Sequence, residues 1–209
     1  DKYYFDKCLP MGFRTSCKIF EEFSTAIEWI SCKKLGITHV IHILDDFLFI
    51  EHSKFLALEK LKLFLHLCAD IGIPLASDKT VCPTHVIEFV GITIDANHRE
   101  TRLPQDKIEK WKRLLRLYKQ KKRCSVKDMQ FLIWISKFAC SVIMPGRALI
   151  QLTVQVSENQ EFITISKECK DDMTLWLVFI IHHNRKTMFL DQKFISSHAC
   201  YKIVFICLA

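Results

Sequence analysis

Two adjacent aspartates, Asp45 and Asp46, interrupt the most strand-like segment of the chain, THVIHILDDFLFI (residues 38–50). The residues on both sides are apolar, aromatic or β-branched, so the flanks predict two short β-strands that meet at the aspartates. Two neighbouring carboxylates repel each other, and burying either one without a partner is costly. The segment therefore predicts either a hairpin turn in water or a site where a cation offsets both charges.

The apolar neighbours Leu44 and Phe47 argue against an ordinary turn exposed to water. Mg²⁺ prefers oxygen ligands and usually takes one or two carboxylates together with substrate phosphates. Two such ions can activate an attacking oxygen and stabilise a leaving one in nucleotidyl transfer. An aspartate pair is a weak motif by itself, so the residues around it must decide between a turn and a metal site.

Length and composition limit the kinds of protein that this chain can be. With 209 residues, half of them hydrophobic, and sixteen Phe, the chain can build one substantial domain or two small ones. From the charged start, DKYYFDK, we expect that these residues are not a secretory signal peptide, and the longest apolar run, Leu175–Ile181, is shorter than the roughly 18 residues of a membrane span. The ten cysteines are scattered without a CxxC pair. We expect a soluble intracellular protein with reduced thiols, without distinguishing cytoplasm from nucleus.

Hydrophobic spacing predicts an α+β first half and a mostly helical second half. Thr15 or Ser16 is expected to cap the first helix, and Val86–Ile94 is expected to be strand-like, with a bulge or close backbone approach at Gly91. Helix-start signals also occur at Ser53, Ser125 and Ser166, and a strand is expected at the end of the chain. Three tryptophans lie at core spacing and are expected to pack: Trp111, Trp134 and Trp176.

Positive charge is concentrated in residues 107–123, where nine Lys or Arg accompany one acid, Glu109. This segment carries +8 while the whole chain carries +7. A charge run is usually a solvated helix face, but this one adjoins an apolar stripe that can anchor the helix. That arrangement favours contact with a nucleic-acid backbone.

Several ordered motifs make the chain resemble reverse transcriptases, in which x-x-Asp-Asp lies at a β-hairpin turn of the palm. The segment LPMG, followed by Ser16 and Phe20, resembles the LPxGxxxS…F motif of that family. GIPLASDKT resembles its GxxLxxxKT element, and FVGITI resembles its FLGxxI hairpin, which holds the primer end. Segments at Leu103–Ile108 and Lys137–Ala148 are similar to ones in retrotransposons that encode a tyrosine recombinase. The resemblance covers roughly the whole chain.

The resemblance implies an α+β fold, a polymerase palm with antiparallel β-hairpins packed on helices, followed by a mainly helical thumb and connection. Residues 1–94 would be a partial palm, residues 95–150 a thumb-like region, and residues 151–209 a connection leading toward a ribonuclease H domain. The family also needs an aspartate on a strand upstream of the LPxG motif, which we expect to precede Asp1. The chain would then be a fragment of a longer polypeptide.

Residue roles follow from the same resemblance. Asp45 and Asp46 would be catalytic ligands of Mg²⁺ (or Mn²⁺), and Lys79 would protonate the departing pyrophosphate. The remaining roles concern nucleic acid and nucleotide. Leu9, Pro10, Met11, Gly12 and Ser16 would bind nucleotide and template, Phe89 and Gly91 would contact the primer, and Lys112, Arg113, Arg116 and Lys119 would lie along the duplex backbone.

The implied activity is RNA-directed DNA synthesis on an RNA template with a DNA primer and deoxynucleoside triphosphates, without a membrane partner. Two alternatives stay open at this point. One is a non-enzymatic remnant that keeps a basic nucleic-acid-binding surface. The other is a structural domain in which the aspartates form an ordinary turn.

Overall fold

The structure is a computed structural model that describes residues 2, 9–10, 12–147, 161–187 and 202–207. The expected α+β class is confirmed. The described residues form five α-helices, a short 3₁₀ turn and ten strands. In chain order these are α1 (Arg14–Lys34), β1 (Val40–Ile43), β2 (Asp46–Glu51), α2 (Lys54–Asp70), β3 (Val81–Thr84), β4 (Val86–Phe89), β5 (Ile92–Asp95), β6 (Glu100–Arg102), α3 (Gln105–Gln120), β7 (Arg123–Ser125), α4 (Val126–Ala139), the 3₁₀ turn (Met144–Gly146), β8 (Phe162–Thr164), α5 (Lys167–His182), β9 (Lys186–Thr187) and β10 (Lys202–Cys207).

These elements fall into two compact units. The first takes the described residues up to Val90, residues 95–98 and β10, and the second takes residues 91–94 and those from Arg99 to the end of β9. No helix among the described residues is long and apolar enough to cross a membrane. None of the eight cysteines in those residues is part of a disulfide.

The first unit is built on a four-stranded antiparallel sheet with the order β1-β2-β10-β3. Side chains alternate between its faces, so Phe47 and Phe49 of β2 lie on the same side as Val204 and Ile206 of β10. All four are 1% exposed or less and belong to one core with α1 and α2. Asp46 and its β10 partner Cys207 consequently face the other side of the sheet.

The second unit has a helical core formed by α3, α4 and α5. The rings of Trp111 and Trp176 lie 4.7 Å apart, centroid to centroid, and both are nearly fully buried, as expected from their spacing. The same expectation is wrong for Trp134, which is 65% exposed because it lies on the outer face of α4. Strands β5, β6 and β9 are neighbours in that order, and β7 pairs with β8.

Three of the four expected helix caps are confirmed. Ser53, Ser125 and Ser166 each accept a hydrogen bond from the backbone N–H three residues on, at 3.2, 3.1 and 3.2 Å. The cap at Thr15 or Ser16 is wrong, because α1 already begins at Arg14 and Ser16 is one of its buried residues.

The strand-like segment of residues 86–94 forms two strands, as the resemblance of FVGITI to a hairpin implied. The chain turns at Val90 and Gly91, whose φ angles are +47° and +79°, so β4 ends before the turn and β5 begins after it. Glycine adopts such left-handed backbone at little steric cost, which explains its presence in this turn. Gly91 is therefore a turn residue and not a bulge, whereas the alternative expectation of a close approach is confirmed, because a Cβ added there would lie 2.6 Å from Nζ of Lys107.

Candidate functional site

The aspartate pair lies at a tight β-hairpin turn, as expected from the sequence. Leu44 and Asp45 form the turn between β1 and β2, and Asp46 is the first residue of β2, paired with Ile43. Both aspartates are half-buried. Leu44 has a φ of +52°, which is rare for a residue with a branched side chain and stores backbone strain.

Helix α1 supports this turn through Glu21. One carboxylate oxygen of Glu21 accepts a hydrogen bond from the Leu44 N–H at 3.0 Å, and the other lies 3.3 Å from Nε2 of His42 on β1. The second His42 nitrogen, Nδ1, contacts Glu28, and the ring stacks on Phe47 at 5.4 Å. Glu21 and Glu28 are two turns apart on one helix face, so α1 holds both the last residues of β1 and the start of the turn.

Sequence reasoning did not identify Glu21. The only signal available was the seven-residue spacing of two glutamates on α1, which places them on one face of a helix. That spacing is common on solvated helices and does not reveal a partner in a hairpin more than twenty residues away.

Strand β10 brings a cysteine, a residue type that can bind metals, close to the two aspartates. Cys207 is paired with Asp46, and its Sγ lies 3.5 Å from Oδ2 of Asp45. One ligand atom from each of Asp45, Asp46 and Cys207 lies within 4.8 Å of the others. Burial, followed by the hydrogen bond to Asp46 and the charges of both aspartates, raises the pKa of the Cys207 thiol to about 12.

Lys79 joins the same group of side chains. Its Nζ lies 4.0 Å from Sγ of Cys207, and the lysine is otherwise exposed to solvent. The structure thus brings together Asp45, Asp46 and Lys79, three residues singled out in the sequence, and adds Cys207. Two half-buried carboxylates on one turn fit the preference of Mg²⁺ or Mn²⁺ for oxygen ligands, whereas the thiol suits a softer metal.

The LPxG-like segment is described only in part. Leu9, Pro10 and Gly12 are exposed, whereas Met11 lies outside the described residues. Within the described part of the chain, no hydrogen bond or ion pair joins these three residues to Asp45 or Asp46. Ser16 is only 8% exposed, and its Oγ is buried without a hydrogen-bond partner among the described residues. Roles for this segment in binding nucleotide or template stay predictions.

The two residues expected to contact a primer have different surroundings. Phe89 is 8% exposed and packs edge-to-face on Phe205 of β10 at 6.0 Å, on the side of the sheet opposite the core formed with α1 and α2. Gly91, in the second unit, is half-buried, and a Cβ added there would lie 2.6 Å from Nζ of Lys107 and 3.2 Å from the ring of Phe138. Any larger residue at Gly91 would be strained by both its φ and this close approach. Primer contact stays a prediction for both residues.

The basic segment is helical only in part, because α3 ends at Gln120 and β7 begins at Arg123. Arg113, Arg116 and Lys119 are exposed on α3, as a contact with phosphates requires. Lys112 differs from them. Its side chain is only 17% exposed, and its Nζ donates a hydrogen bond to Glu109 at 3.0 Å, which lowers the pKa of that carboxyl.

Comparisons with known proteins support the fold and nothing finer. One solved structure, a foamy viral protease-reverse transcriptase in complex with double-stranded DNA, is similar with a TM-score of 0.62 at 16% sequence identity. The likeness covers 86% of this chain but only 30% of that chain. No protein-family model matches the sequence, and no curated protein matches it either. The described residues therefore have a reverse-transcriptase-like fold.

Proposed function

We propose that this chain is part of the RNA-directed DNA polymerase of a retroelement, of the retrotransposon group that encodes a tyrosine recombinase. Its reaction would be metal-dependent nucleotidyl transfer to a DNA primer on an RNA template, with deoxynucleoside triphosphates as substrates. The observation that carries the proposal is the half-buried pair Asp45–Asp46 at the hairpin turn of a reverse-transcriptase-like fold.

In this proposal Asp45 is the direct ligand of Mg²⁺ (or Mn²⁺), and Asp46 supports it. A bound divalent ion would lower the pKa of the primer hydroxyl and neutralise charge on the phosphates. Glu21 keeps the turn in its strained conformation, so that both carboxylates stay on the side of the sheet that faces away from α1 and α2. Lys79 would donate a proton to the departing pyrophosphate, consistent with its place beside Cys207.

The remaining assignments follow the same proposal. Residues 1–94 would form a partial palm, residues 95–150 a thumb-like region, and residues 151–209 a connection, although β10, the last described strand of that segment, pairs with β2 and β3. Exposed basic residues of α3 would contact phosphates without reading sequence. Leu9, Pro10, Met11, Gly12 and Ser16 would shape the nucleotide and template pocket, and Phe89 and Gly91 would lie near the primer.

Residues 1–209 alone should not synthesise DNA. Within the described residues, the group around Asp45 and Asp46 contains a thiol but no third carboxylate. Two-metal transfer needs ligands that hold two ions about 3.5–4 Å apart, and the aspartates approach from a single turn. Binding of Mg²⁺ should therefore be weak, and Mn²⁺ should bind more tightly, as the usual order of metal affinities requires.

Titration of the chain with Mn²⁺, followed by electron paramagnetic resonance of the free ion, tests the metal site. Asp45→Asn should abolish the tightest binding, because it removes the direct ligand. Asp70→Asn is the matched control, since Asp70 is exposed at the end of α2 and pairs only loosely with His66, at 3.7 Å. The metal site would be rejected if both variants lost Mn²⁺ binding to the same extent, or if neither variant lost it.

A second candidate function is nucleic-acid binding without catalysis. It is favoured by one observation: the third donor beside the aspartates is the sulfur of Cys207 and not an oxygen. A chain of this kind would keep salt-dependent binding to nucleic acid. No longer polypeptide that contains it would extend a primer. Primer extension therefore separates the two candidates.

A further inference from the structure

Three donor atoms from two distant parts of the chain converge beside the aspartate turn. Asp45 and Asp46 come from the β1–β2 hairpin, and Cys207 comes from β10, more than 150 residues later. Backbone pairing fixes this arrangement, because Cys207 lies opposite Asp46 in the ladder that joins β10 to β2. The thiol is 1% exposed while the two carboxylates are half-buried, so the group is open on the side of the aspartates.

The spacing of these donors fits a single small cation. A zinc ion binds a cysteine sulfur at about 2.3 Å and a carboxylate oxygen at about 2.0–2.2 Å, in tetrahedral geometry. Two such ligands on one ion are about 3.5–3.7 Å apart, by trigonometry on these bond lengths. The measured distance from Sγ of Cys207 to Oδ2 of Asp45 is 3.5 Å. Asp46 supplies the third ligand, and all three atoms fit within 4.8 Å.

We propose that Asp45, Asp46 and Cys207 form a site for one thiophilic divalent cation of the zinc and cadmium class. Thiolate sulfur selects such ions over Mg²⁺, whose preferred ligands are oxygens. The thiol proton leaves to solvent as the metal–sulfur bond forms, and water completes the coordination on the exposed side. The site shares both aspartates with the proposed function, but binding of this ion requires no polymerase activity.

Lys79 limits the affinity of the site. Its ammonium lies 4.0 Å from the sulfur and repels an incoming cation. Because the lysine is exposed, its long side chain can move into solvent when a metal binds. Replacing Lys79 by glutamine should consequently raise cadmium affinity several-fold, while Lys62→Gln, a change on the exposed face of α2, should leave it unchanged.

Cadmium titration of the chain of residues 1–209 tests the site through the ultraviolet charge-transfer band of the cadmium–thiolate bond. The first equivalent of Cd²⁺ should produce the band, and Cys207→Ser should abolish that high-affinity component. Asp45→Asn and Asp46→Asn keep the thiol and should weaken cadmium binding by roughly 10–100-fold or more, since even groups outside the ligand set have effects of that size. Cys82→Ser is the matched control, because Cys82 is an exposed cysteine on β3.

A band that survives Cys207→Ser would show that cadmium binds other thiols and would overturn the proposal. So would a band that disappears in Cys207→Ser but is equally strong in both aspartate variants, since a single thiol would then be the whole site. If Cys207→Ser fails to fold, the aspartate variants decide. Cadmium binding by residues 1–209, without Mn²⁺ binding and without primer extension by a polypeptide that continues upstream, would reject the polymerase and keep this site. Mn²⁺ binding and extension by that longer polypeptide, without cadmium binding, would reject this site alone.

Discussion

Leu44 shows how a single residue can store strain at the candidate site. Its φ of +52° is unfavourable for leucine, and a hydrogen bond from its N–H to Glu21 holds it in place. The sequence alone predicted the aspartates and their turn, because apolar and β-branched runs on both sides of two acids are a local pattern. Glu21 and Cys207 could not be predicted, since their contacts with the turn depend on long-range packing of α1 and β10.

Glu21→Gln should destabilise the turn. The glutamine can still accept one hydrogen bond, but it loses the charge that interacts with both the Leu44 N–H and His42. We expect unfolding free energy to fall by about 0.5–1.5 kcal/mol, the net value of one hydrogen bond, and Mn²⁺ affinity to fall with it. Urea denaturation and Mn²⁺ titration measure the two effects.

Glu22→Gln is the control for this change, because Glu22 is exposed and its ion pair with Lys18, at 3.9 Å, lies on the surface. It should alter neither stability nor metal affinity by a measurable amount. Equal effects from the two variants would mean that Glu21 does not position the turn.

Buried thiols should make the first unit sensitive to alkali. Burial raises the pKa of Cys68 from 9.0 to about 11, so the folded chain keeps a proton that the unfolded chain releases. Stability from this group is complete below pH 9.0 and is lost as pH rises toward about 11. Cys68→Ala should remove up to about 2–3 kcal/mol of that alkaline loss.

Thermal unfolding measured from about pH 8 to about pH 11 tests this expectation, because the range begins below the ordinary pKa of 9.0 and reaches the raised pKa of about 11. Cys82→Ala provides the comparison, because Cys82 is exposed. An identical pH slope in the two variants would contradict a raised pKa at Cys68.

At the scale of elements, β10 is the part of the fold that sequence patterns describe least well. A strand near the end of the chain was expected, but its position between β2 and β3 was not. Strand propensity reports that a segment is extended, whereas its neighbours depend on which apolar faces fit together. Helix starts at Ser53, Ser125 and Ser166 were predictable because a cap is a local hydrogen bond.

Val204→Asp should unfold the first unit or weaken it severely. Val204 is fully buried between β10 and the α1–α2 helices, and an aspartate there would place an unpaired charge in the core. We expect a loss of more than about 4 kcal/mol in unfolding free energy. Val86→Asp on β4 is the matched control, since Val86 is 40% exposed. Similar denaturation midpoints for the two variants would show that β10 does not form this core.

Helix α3 leads to a prediction about salt. Replacing Arg113, Arg116 and Lys119 by glutamine should flatten the slope of log K against log salt for duplex binding by about 0.9 for each phosphate that the helix no longer neutralises. Lys112→Gln should change the slope less, because Lys112 is mostly buried and bonded to Glu109. Fluorescence anisotropy of labelled duplex at several salt concentrations gives the slopes. An unchanged slope in the triple variant would mean that the basic residues of α3 face solvent and do not contact phosphates.

At the scale of the whole molecule, the described residues form two compact units with a reverse-transcriptase-like fold. The motifs predicted that fold because each one combines a turn or helix end with residues at fixed spacing. They could not predict which side chains complete the site around Asp45 and Asp46, because Cys207 reaches it from a different element. Sequence motifs therefore predicted the fold well, but they did not predict which residues make up the site.

Primer extension on a primed RNA template tests whether the turn at Asp45 and Asp46 is the catalytic site of a polymerase. We compare residues 1–209 with a polypeptide in which the chain continues upstream and supplies a further aspartate. The longer polypeptide should extend the primer with Mg²⁺ or Mn²⁺, its Asp45→Asn variant should not, and its Asp70→Asn variant should be unaffected. Residues 1–209 alone should be inactive. Extension by the Asp45→Asn variant would contradict the role assigned to the aspartate turn.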